Sequence, residues 1–287
     1  MVSHVLPPGE PRSAFPTGRL HGLQRREEAA GSPLIRTEQS PAARATGPAA
    51  GRAAARGALL SGGARSVART RVRIVPTPAK QPASWAYAEQ FVAEDEVLRR
   101  ARARAADLDC EAVSPGVAAT LTVLAAAVRA RTVVEVGTGA GVSTVALLRG
   151  MAEDGVVTSI DTDGEHQRAA REAVADDGIR TNRARMIPGR ALEVLPRLTD
   201  AAYDLVLLDG DEREYSAYLD QALRLLRPGG LLVVDDALWK GKVADPAARD
   251  AQTVAVRDLG RAVVEDERWL PTLLPSGDGL LLAVKRA

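Results

Sequence analysis

Apolar residues from position 84 onward follow two alternating patterns. Short continuous runs rich in Val, Ile and Leu are typical of strands buried on both faces of a parallel sheet. They predict strands at about 132–137, 156–161, 184–188, 203–209 and 231–235. Apolar residues at helical spacing predict helices between them, at 142–152, 164–177, 190–198 and 214–227. This alternation predicts an α/β fold with helices on both faces of the sheet.

Boundary residues add two helices before the first strand. Ser84 is suited to cap a helix that runs as far as Leu98, because a serine hydroxyl can accept from a backbone N–H of the first turn. Pro115 suits the first turn of a second helix, where its missing N–H costs nothing.

The end of the chain adds a helix and two strands. Pro228-Gly229-Gly230 is expected to stop the helix 214–227, and Asp245-Pro246 to cap a last long helix. The segments 268–274 and 279–285 are expected to form a closing strand pair around the turn residues Ser276-Gly277-Asp278-Gly279.

Composition divides the chain into two parts. Residues 1–84 carry 13 Lys and Arg against 4 Asp and Glu, whereas the remainder carries 25 against 33. The first part has no sustained apolar period, so it cannot bury enough surface to offset the entropy of ordering. We therefore predict a disordered basic tail over residues 1–80, rich in Arg, Ala, Gly and Pro, and a folded domain over residues 84–287.

The basic tail has the charge of a nucleic-acid or membrane arm, and that alternative stays open. Nucleic-acid binding is not favoured, because stacking aromatics are absent and the arginines are scattered among Ala and Gly. Arg25-Arg26 precedes Glu27-Glu28 rather than the apolar run of an export signal. The sequence contains no run of about 20 apolar residues, which is the length that a membrane-spanning helix requires. With Cys110 as the only cysteine, a reduced, cytoplasmic setting is expected.

Three glycines follow the first predicted strand at every second position: Gly137, Gly139 and Gly141. A backbone without Cβ atoms can approach a ligand closely at such a strand-to-helix turn. Asp161 ends the next strand and can offer its carboxylate to a ribose diol. The dinucleotide fingerprint G-x-G-x-x-G is not met in either register, which favours a nucleoside site over a dinucleotide site. A glycine turn without a ligand is the remaining alternative.

Acidic residues follow the fourth and fifth predicted strands. Asp209, Asp235 and Asp236 are expected to meet at one corner, because these two strands should be neighbours. Hard oxygen ligands at that density suit Mg²⁺, Ca²⁺ or Mn²⁺, although any one carboxylate could instead cap a helix or face solvent. Only three histidines are present, so a Ser-His-Asp mechanism or a histidine-rich zinc site has little material.

The motif E-x-G-x-G-x-G at 135–141 resembles motif I of the class I methyltransferases, which bind S-adenosylmethionine (SAM). Four further segments resemble the cation-dependent O-methyltransferases, the relatives of catechol and caffeoyl-CoA O-methyltransferase and their bacterial counterparts. They are 203–211, 226–230, 235–243 and 274–280. The resemblance covers roughly residues 84–286. It implies a Rossmann-like methyltransferase fold with a seven-stranded, mostly parallel sheet and a C-terminal antiparallel strand.

The same resemblance implies the roles of individual residues. It makes Asp209, Asp235 and Asp236 the ligands of a divalent cation, Mg²⁺ or Mn²⁺. Asp161 would hold the ribose hydroxyls of SAM, and Ala191 would lie near its adenine. The implied SAM-binding residues are Val113, Glu135, Gly137, Thr138, Ser143, Asp161 and Ala191.

Two positions depart from the family pattern. Asp236 stands where the family usually has asparagine, which adds a negative charge to the metal corner. Glu212 stands where the family usually has a lysine that can deprotonate the acceptor hydroxyl. Glu212 and Lys240 are therefore the candidate proton acceptors beside Asp209, with Lys240 also readable as a surface charge. Trp239 and Tyr215 are candidates for an aromatic acceptor pocket, or for ordinary packing.

The resemblance as a whole implies a SAM-dependent O-methyltransferase. Its expected acceptor is a small hydroxylated molecule, aromatic by preference, with a divalent cation assisting. A metal-independent methyltransferase on the same fold and a SAM-binding protein without catalysis are the alternatives. The helix that contains Trp85 could cover the site or support a homodimer partner.

Overall fold

The computed structural model describes residues 81–287, and the tail predicted over residues 1–80 lies outside this range. Seven strands form one sheet in the order β3-β2-β1-β4-β5-β7-β6, in which β7 alone runs in the direction opposite to the other six. This confirms the seven-stranded, mostly parallel sheet. The strands are β1 (Thr132–Val136), β2 (Val156–Asp161), β3 (Ala184–Pro188), β4 (Tyr203–Leu208), β5 (Leu226–Val234), β6 (Trp269–Leu274) and β7 (Leu280–Lys285).

Eight helices accompany these strands in the described residues. They are α1 (Gln81–Glu89), α2 (Glu96–Asp107), α3 (Pro115–Ala127), α4 (Val142–Gly150), α5 (Gly164–Asp176), α6 (Ala191–Val194), α7 (Tyr215–Leu225) and α8 (Ala251–Glu265). Short 3₁₀ turns occur at Thr181–Arg183, Leu195–Arg197, Glu212–Glu214 and Lys242–Ala244. Within residues 81–287, no helix combines the length and the apolar character that crossing a membrane requires.

The sheet separates two hydrophobic cores, because successive side chains of a strand point to opposite faces. Val133 belongs to the core shared with α2, α3, α4 and α5, whereas its neighbour Val134 belongs to the core shared with α6, α7 and α8. The same alternation holds for Leu205 and Val206 of β4. The prediction of helices on both faces is therefore confirmed.

The predicted helix from Ser84 to Leu98 is wrong as a single element. The chain forms two helices there, and Ser84 lies inside α1 rather than at its cap. The helix α2 begins after Asp95, whose side chain accepts from the backbone N–H of Leu98 at 3.1 Å. Its buried face consists of Leu98 and two alanines, and small side chains give a weak periodic signal.

Three other boundaries differ from the prediction. Pro228-Gly229-Gly230 does not stop a helix but lies within β5, since α7 already ends at Leu225. The last helix is capped by Asp250, which accepts from Thr253 at 3.1 Å, and not by Asp245. The predicted helix 190–198 is only the four-residue α6 followed by a 3₁₀ turn.

Gly137 gives a test of how β1 packs against β4. Its φ is +91°, and a Cβ atom there would lie 1.8 Å from the backbone oxygen of Asp209. We expect Gly137→Ala to lower the free energy of unfolding by about 2–4 kcal/mol, because the left-handed conformation and the backbone clash both add cost. Urea unfolding of the full chain measures this loss.

Gly178→Ala is the matched control for that substitution. Its φ is +68°, but no atom lies within 4 Å of the added Cβ. It should lose only the conformational part, about 1–2 kcal/mol. Equal losses in the two variants would show that the contact between Gly137 and Asp209 does not constrain the fold.

Candidate functional site

A cavity of about 430 Å³ opens at the carboxyl ends of β1, β2 and β4. Ligands of open α/β sheets bind at this edge. The cavity brings together six of the seven residues proposed for SAM from the sequence, together with Asp209. The six are Val113, Gly137, Thr138, Ser143, Asp161 and Ala191.

Asp161 shapes the glycine turn as well as the cavity. Its Oδ2 accepts from the backbone N–H groups of Thr138 at 3.0 Å and Gly139 at 3.1 Å, and its Oδ1 accepts from Asp163 at 2.8 Å. The Nδ1 atom of His166 lies 3.5 Å from Oδ2. A carboxylate has about four acceptor positions, so these three backbone bonds leave about one position for a further donor.

Glu135 does not line the cavity. Its side chain is fully buried beneath the glycine turn, where Oε2 accepts from Thr144 at 2.5 Å and Ser159 at 2.6 Å. Burial raises the pKa of Glu135 to about 7, against the opposing effect of hydrogen bonds from Ser143, Ser159 and Thr144. Its Oε1 atom is buried without a hydrogen-bond partner. The Glu135 carboxyl group therefore links the first turn of α4 to β2.

Glycines take different parts in the turn. A Cβ atom on Gly141 would lie 2.7 Å from the Cα atom of Ala170, so this glycine lets α5 approach the turn. A Cβ atom on Gly139 would have only the Sγ atom of Cys110 within 4 Å, at 3.2 Å, apart from its neighbours in the chain. Gly139 is therefore the turn glycine with the most space around it.

The segment 110–113 forms a cavity wall that the sequence analysis found only at Val113. Burial, together with Asp161 and Asp209, raises the pKa of the Cys110 thiol, so the wall stays neutral there. No periodic pattern marks this connection between α2 and α3, and no motif in the sequence identifies it.

Tyr218 forms another part of the wall that sequence reasoning missed. Its hydroxyl donates to Glu214 Oε2 at 2.6 Å, and Arg190 pairs with the other oxygen of Glu214. Tyr215, which was a candidate for the acceptor pocket, is instead 1 % exposed and packs in the core. The helical spacing of α7 marks both tyrosines as apolar-face residues and does not tell which of them reaches the cavity.

Asp209, Asp235 and Asp236 form what we call the acidic corner, which lies next to this cavity. Burial raises the pKa of Asp209 well above its usual value, and the charges of Asp235 and Asp236 raise it further. Burial also raises the pKa of Asp235 to about 7, with Asp236 adding to the effect. Asp235 is 4 % exposed, and its Oδ1 atom is buried without a partner. These carboxylates repel one another, and this repulsion favours protonation or a bound cation.

Asp236 is surrounded by further carboxylates. Burial raises its pKa, the charges of Asp278, Glu111 and Glu212 add to the rise and Lys240 opposes it, so that the pKa is about 6. Burial also raises the pKa of Glu212, with Asp211 adding to the effect. Glu212 is thus a carboxylate in the acidic corner whose proton affinity is higher than that of an exposed glutamate.

The present arrangement of these side chains does not form a metal site. Across residues 81–287, no group of three or more His, Cys, Asp or Glu side chains is placed to hold a metal ion. The donor chemistry of Asp209, Asp235 and Asp236 nevertheless suits a hard cation, and the unpartnered Oδ1 of Asp235 is an available ligand.

The loop after β5 is strained where it borders the acidic corner. Asp236, Trp239 and Lys240 have φ values of 54°, 48° and 55°, a left-handed conformation that costs non-glycine residues energy. The Lys240 side chain is 64 % exposed, and its Nζ lies 3.5 Å from Glu111. Trp239 is half-buried and packs against the core shared with α7 and α8.

Comparisons with known proteins point to one family. The sequence profile of a family described as O-methyltransferase matches residues 85–286. A Mycobacterium tuberculosis protein named as an O-methyltransferase is 50% identical over 210 residues, which cover 73% of this chain and 94% of the relative.

Two crystal structures are also similar. A protein from Corynebacterium glutamicum has a TM-score of 0.67 and 32% identity, over 72% of this chain and 97% of its own. The O-methyltransferase TomG from Streptomyces achromogenes, which is involved in tomaymycin synthesis and was solved with SAM, has a TM-score of 0.65 and 28% identity, over 72% and 99%. From the family match and the 50% identity, this chain belongs to the O-methyltransferase family.

Proposed function

We propose that the cavity binds SAM and that the protein transfers its methyl group to a hydroxyl of a small acceptor bound beside Asp209. One observation carries this proposal. The glycine turn, with Asp161 fixed to it, forms a cavity that reaches the acidic corner at Asp209. The TomG complex with SAM supports the choice of cofactor. We further propose that residues 84–287 are sufficient for this function, because every residue of the cavity lies among them.

In this proposal, different residues of the cavity contact different parts of SAM. Asp161 accepts from a ribose hydroxyl, since its carboxylate retains about one acceptor position beyond its three backbone bonds. Gly137, Thr138 and Ser143 hold the methionine end, and Ala191 lies near adenine. Val113 closes the wall opposite the turn. Glu135 acts through its bonds to Thr144 and Ser159 and makes no contact with SAM.

The acceptor would lie where the cavity meets the acidic corner. Holding the hydroxyl oxygen in line with the sulfonium methyl supplies the greater part of the rate acceleration in such a displacement. Glu212 is the favoured proton acceptor, because its raised pKa brings it closer to neutral pH. Lys240 is less suited, since its ammonium group is largely exposed and faces Glu111.

We propose Asp209, Asp235 and Asp236 as the residues that would hold a divalent cation, after their side chains turn towards one another. Their mutual repulsion and the unpartnered Asp235 Oδ1 support this. When bound, such a cation would lower the pKa of an acceptor hydroxyl. A metal-independent methyltransferase is the second candidate function, favoured by the absence of a ready-made three-ligand group among the described residues.

Substitution of Asp161 tests the cofactor site. Charge-assisted hydrogen bonds contribute about 1.5–3 kcal/mol each, so we expect Asp161→Asn to weaken SAM binding by roughly tenfold or more. Isothermal titration calorimetry measures the dissociation constant. The control is Asp163→Asn, which alters the carboxylate that caps α5, two residues away. An unchanged dissociation constant in Asp161→Asn would place the ribose elsewhere.

Chelation tests the cation. Methyl transfer to a panel of hydroxylated aromatic compounds should stop in excess EDTA and return with Mg²⁺ or Mn²⁺, while SAM binding persists because its contacts lie mainly on the turn. Asp209→Ala should reduce transfer more than Glu212→Ala or Lys240→Ala. Full transfer by a demonstrably metal-free enzyme would establish the metal-independent alternative.

The pH dependence of stability tests the acidic corner without any acceptor. The pKa of Asp235 is about 7 in the folded chain against an ordinary value of 3.8, so its contribution to stability is lost as pH rises between these values. In excess EDTA, Asp235→Asn should therefore gain stability relative to the unsubstituted chain as the pH rises from 5 to 8, by at most about 3 kcal/mol, since only the interval from pH 5 to about 7 contributes. Urea unfolding at both pH values measures this difference.

Added Mn²⁺ provides the control for that experiment. At pH 8 it should stabilise the unsubstituted chain and have a smaller effect on Asp235→Asn, because the variant lacks one anionic ligand. A stability difference that does not change with pH would show that Asp235 is not held under repulsion.

A further inference from the structure

Glu89 at the end of α1 joins two distant parts of the chain through four hydrogen bonds. Its Oε2 accepts from Ser114 Oγ at 2.5 Å and from the backbone N–H of Gly116 at 3.0 Å. Its Oε1 accepts from Ser276 Oγ at 3.0 Å and from the backbone N–H of Gly277 at 2.7 Å. One carboxylate thereby fixes the start of α3 to the turn 276–279, which we call the β6–β7 turn.

The Glu89 carboxylate is ionised in this position. Burial alone would raise its pKa, but the hydrogen bonds from Ser114, Gly277 and Ser276 outweigh burial and hold the pKa below the usual value. Hydrogen bonds to a charged acceptor are about twice as strong as those between neutral groups. The joint between α3 and the β6–β7 turn is therefore a charge-assisted one.

The β6–β7 turn is in turn bonded to the loop that follows Asp236. The backbone oxygen of Asp278 accepts from Leu238 at 2.7 Å, and the oxygen of Gly279 accepts from Ala237 at 2.8 Å. The Asp278 side chain accepts from the backbone N–H of Lys240. These three bonds hold residues 237–240, the strained loop beside the acidic corner.

Close packing leaves this arrangement little freedom. A Cβ atom on Gly277 would lie 2.8 Å from Val117, and one on Gly279 would lie 2.5 Å from Leu238. The φ values of these glycines are +56° and +93°, so the turn depends on glycine at both positions. The β6–β7 turn is thus packed between α3 on one side and the loop 237–240 on the other.

We propose that Glu89 is a positioning residue of the active site. It holds the β6–β7 turn against α3, and the turn holds residues 237–240 in the conformation that places Asp235 and Asp236 beside the acceptor. Glu89 touches neither cofactor nor acceptor and acts through the β6–β7 turn and residues 237–240. This inference rests on the proposed function, because only that function gives Asp235 and Asp236 an acceptor to lie beside. The chain of hydrogen bonds does not depend on it.

Amide hydrogen exchange of the full chain tests the chain of bonds directly. In Glu89→Ala, the amides of residues 237–240 should exchange at least about tenfold faster, because the free energy of local opening is lower there. The amides of the glycine turn 137–141 should be unchanged. The matched control is Glu94→Ala, which removes the ion pair with Arg102 in the same N-terminal region and does not touch the turn. Exchange at 237–240 should stay unchanged in this control.

Kinetics provide the second readout. Glu89→Ala should lower kcat and raise KM for the acceptor, while the dissociation constant of SAM stays within about twofold, since Asp161 and the glycine turn are untouched. Glu89→Gln should recover part of the activity that Glu89→Ala loses, because its one amide oxygen can still accept from one of the two pairs of donors. Absence of methyl transfer in the unsubstituted chain would contradict the proposed function and leave the exchange result valid.

A second variant protects the test against a folding defect. Ser276→Ala removes a single donor to Glu89 and leaves Ser114 and Gly116 bonded. If Glu89→Ala does not fold, faster exchange at 237–240 in Ser276→Ala supports the proposal. Unchanged exchange at 237–240 in both variants would overturn it, and so would faster exchange throughout the domain, because Glu89 would then be a general stabilising residue.

Discussion

The alignment of four parallel strand ends is the constraint on which the site depends. Val136 of β1 pairs with Ile160 of β2 and with Leu208 of β4, and Leu208 pairs with Val234 of β5. The residues that come next along the chain are Gly137, Asp161, Asp209 and Asp235. They consequently lie at one level of the sheet, with the glycine turn between Asp161 and the acidic corner. Backbone hydrogen bonds continue this alignment, since Asp209 N donates to Val136 O at 2.8 Å.

The sequence was sufficient to predict those residues of the candidate site that lie at the ends of the parallel strands. Buried strands leave a clear apolar run, so the positions where they end, and hence Gly137, Asp161 and Asp209, could be predicted. Residues that reach the cavity from elsewhere could not. Cys110 lies in a connection without a period, and Tyr218 differs from Tyr215 only by its place on one helix. The assignment of Glu135 to SAM came from the family resemblance, and a strand pattern does not say which buried carboxyl faces a ligand and which faces a helix.

The two halves of the site have opposite electrostatic character. At the glycine turn, backbone N–H groups already hold the Asp161 carboxylate in place, so that half is formed without a ligand. At the acidic corner, Asp209 and Asp235 are desolvated beside other carboxylates, and no described side chain neutralises them. The first half is preorganised for binding, whereas the second half stores repulsion that a proton or a cation would relieve.

Repulsion and strain in the same loop require a restraint from outside it. Asp236 and Lys240 hold left-handed backbone conformations while the carboxylates around Asp236 push apart, and such conformations persist only where the surroundings fix them. The β6–β7 turn supplies that restraint through its bonds to Leu238 and Lys240. The turn is itself held by Glu89, a residue 147 positions before Asp236 in the chain. A helix that precedes the sheet therefore helps to maintain the geometry of a corner formed by its fifth strand.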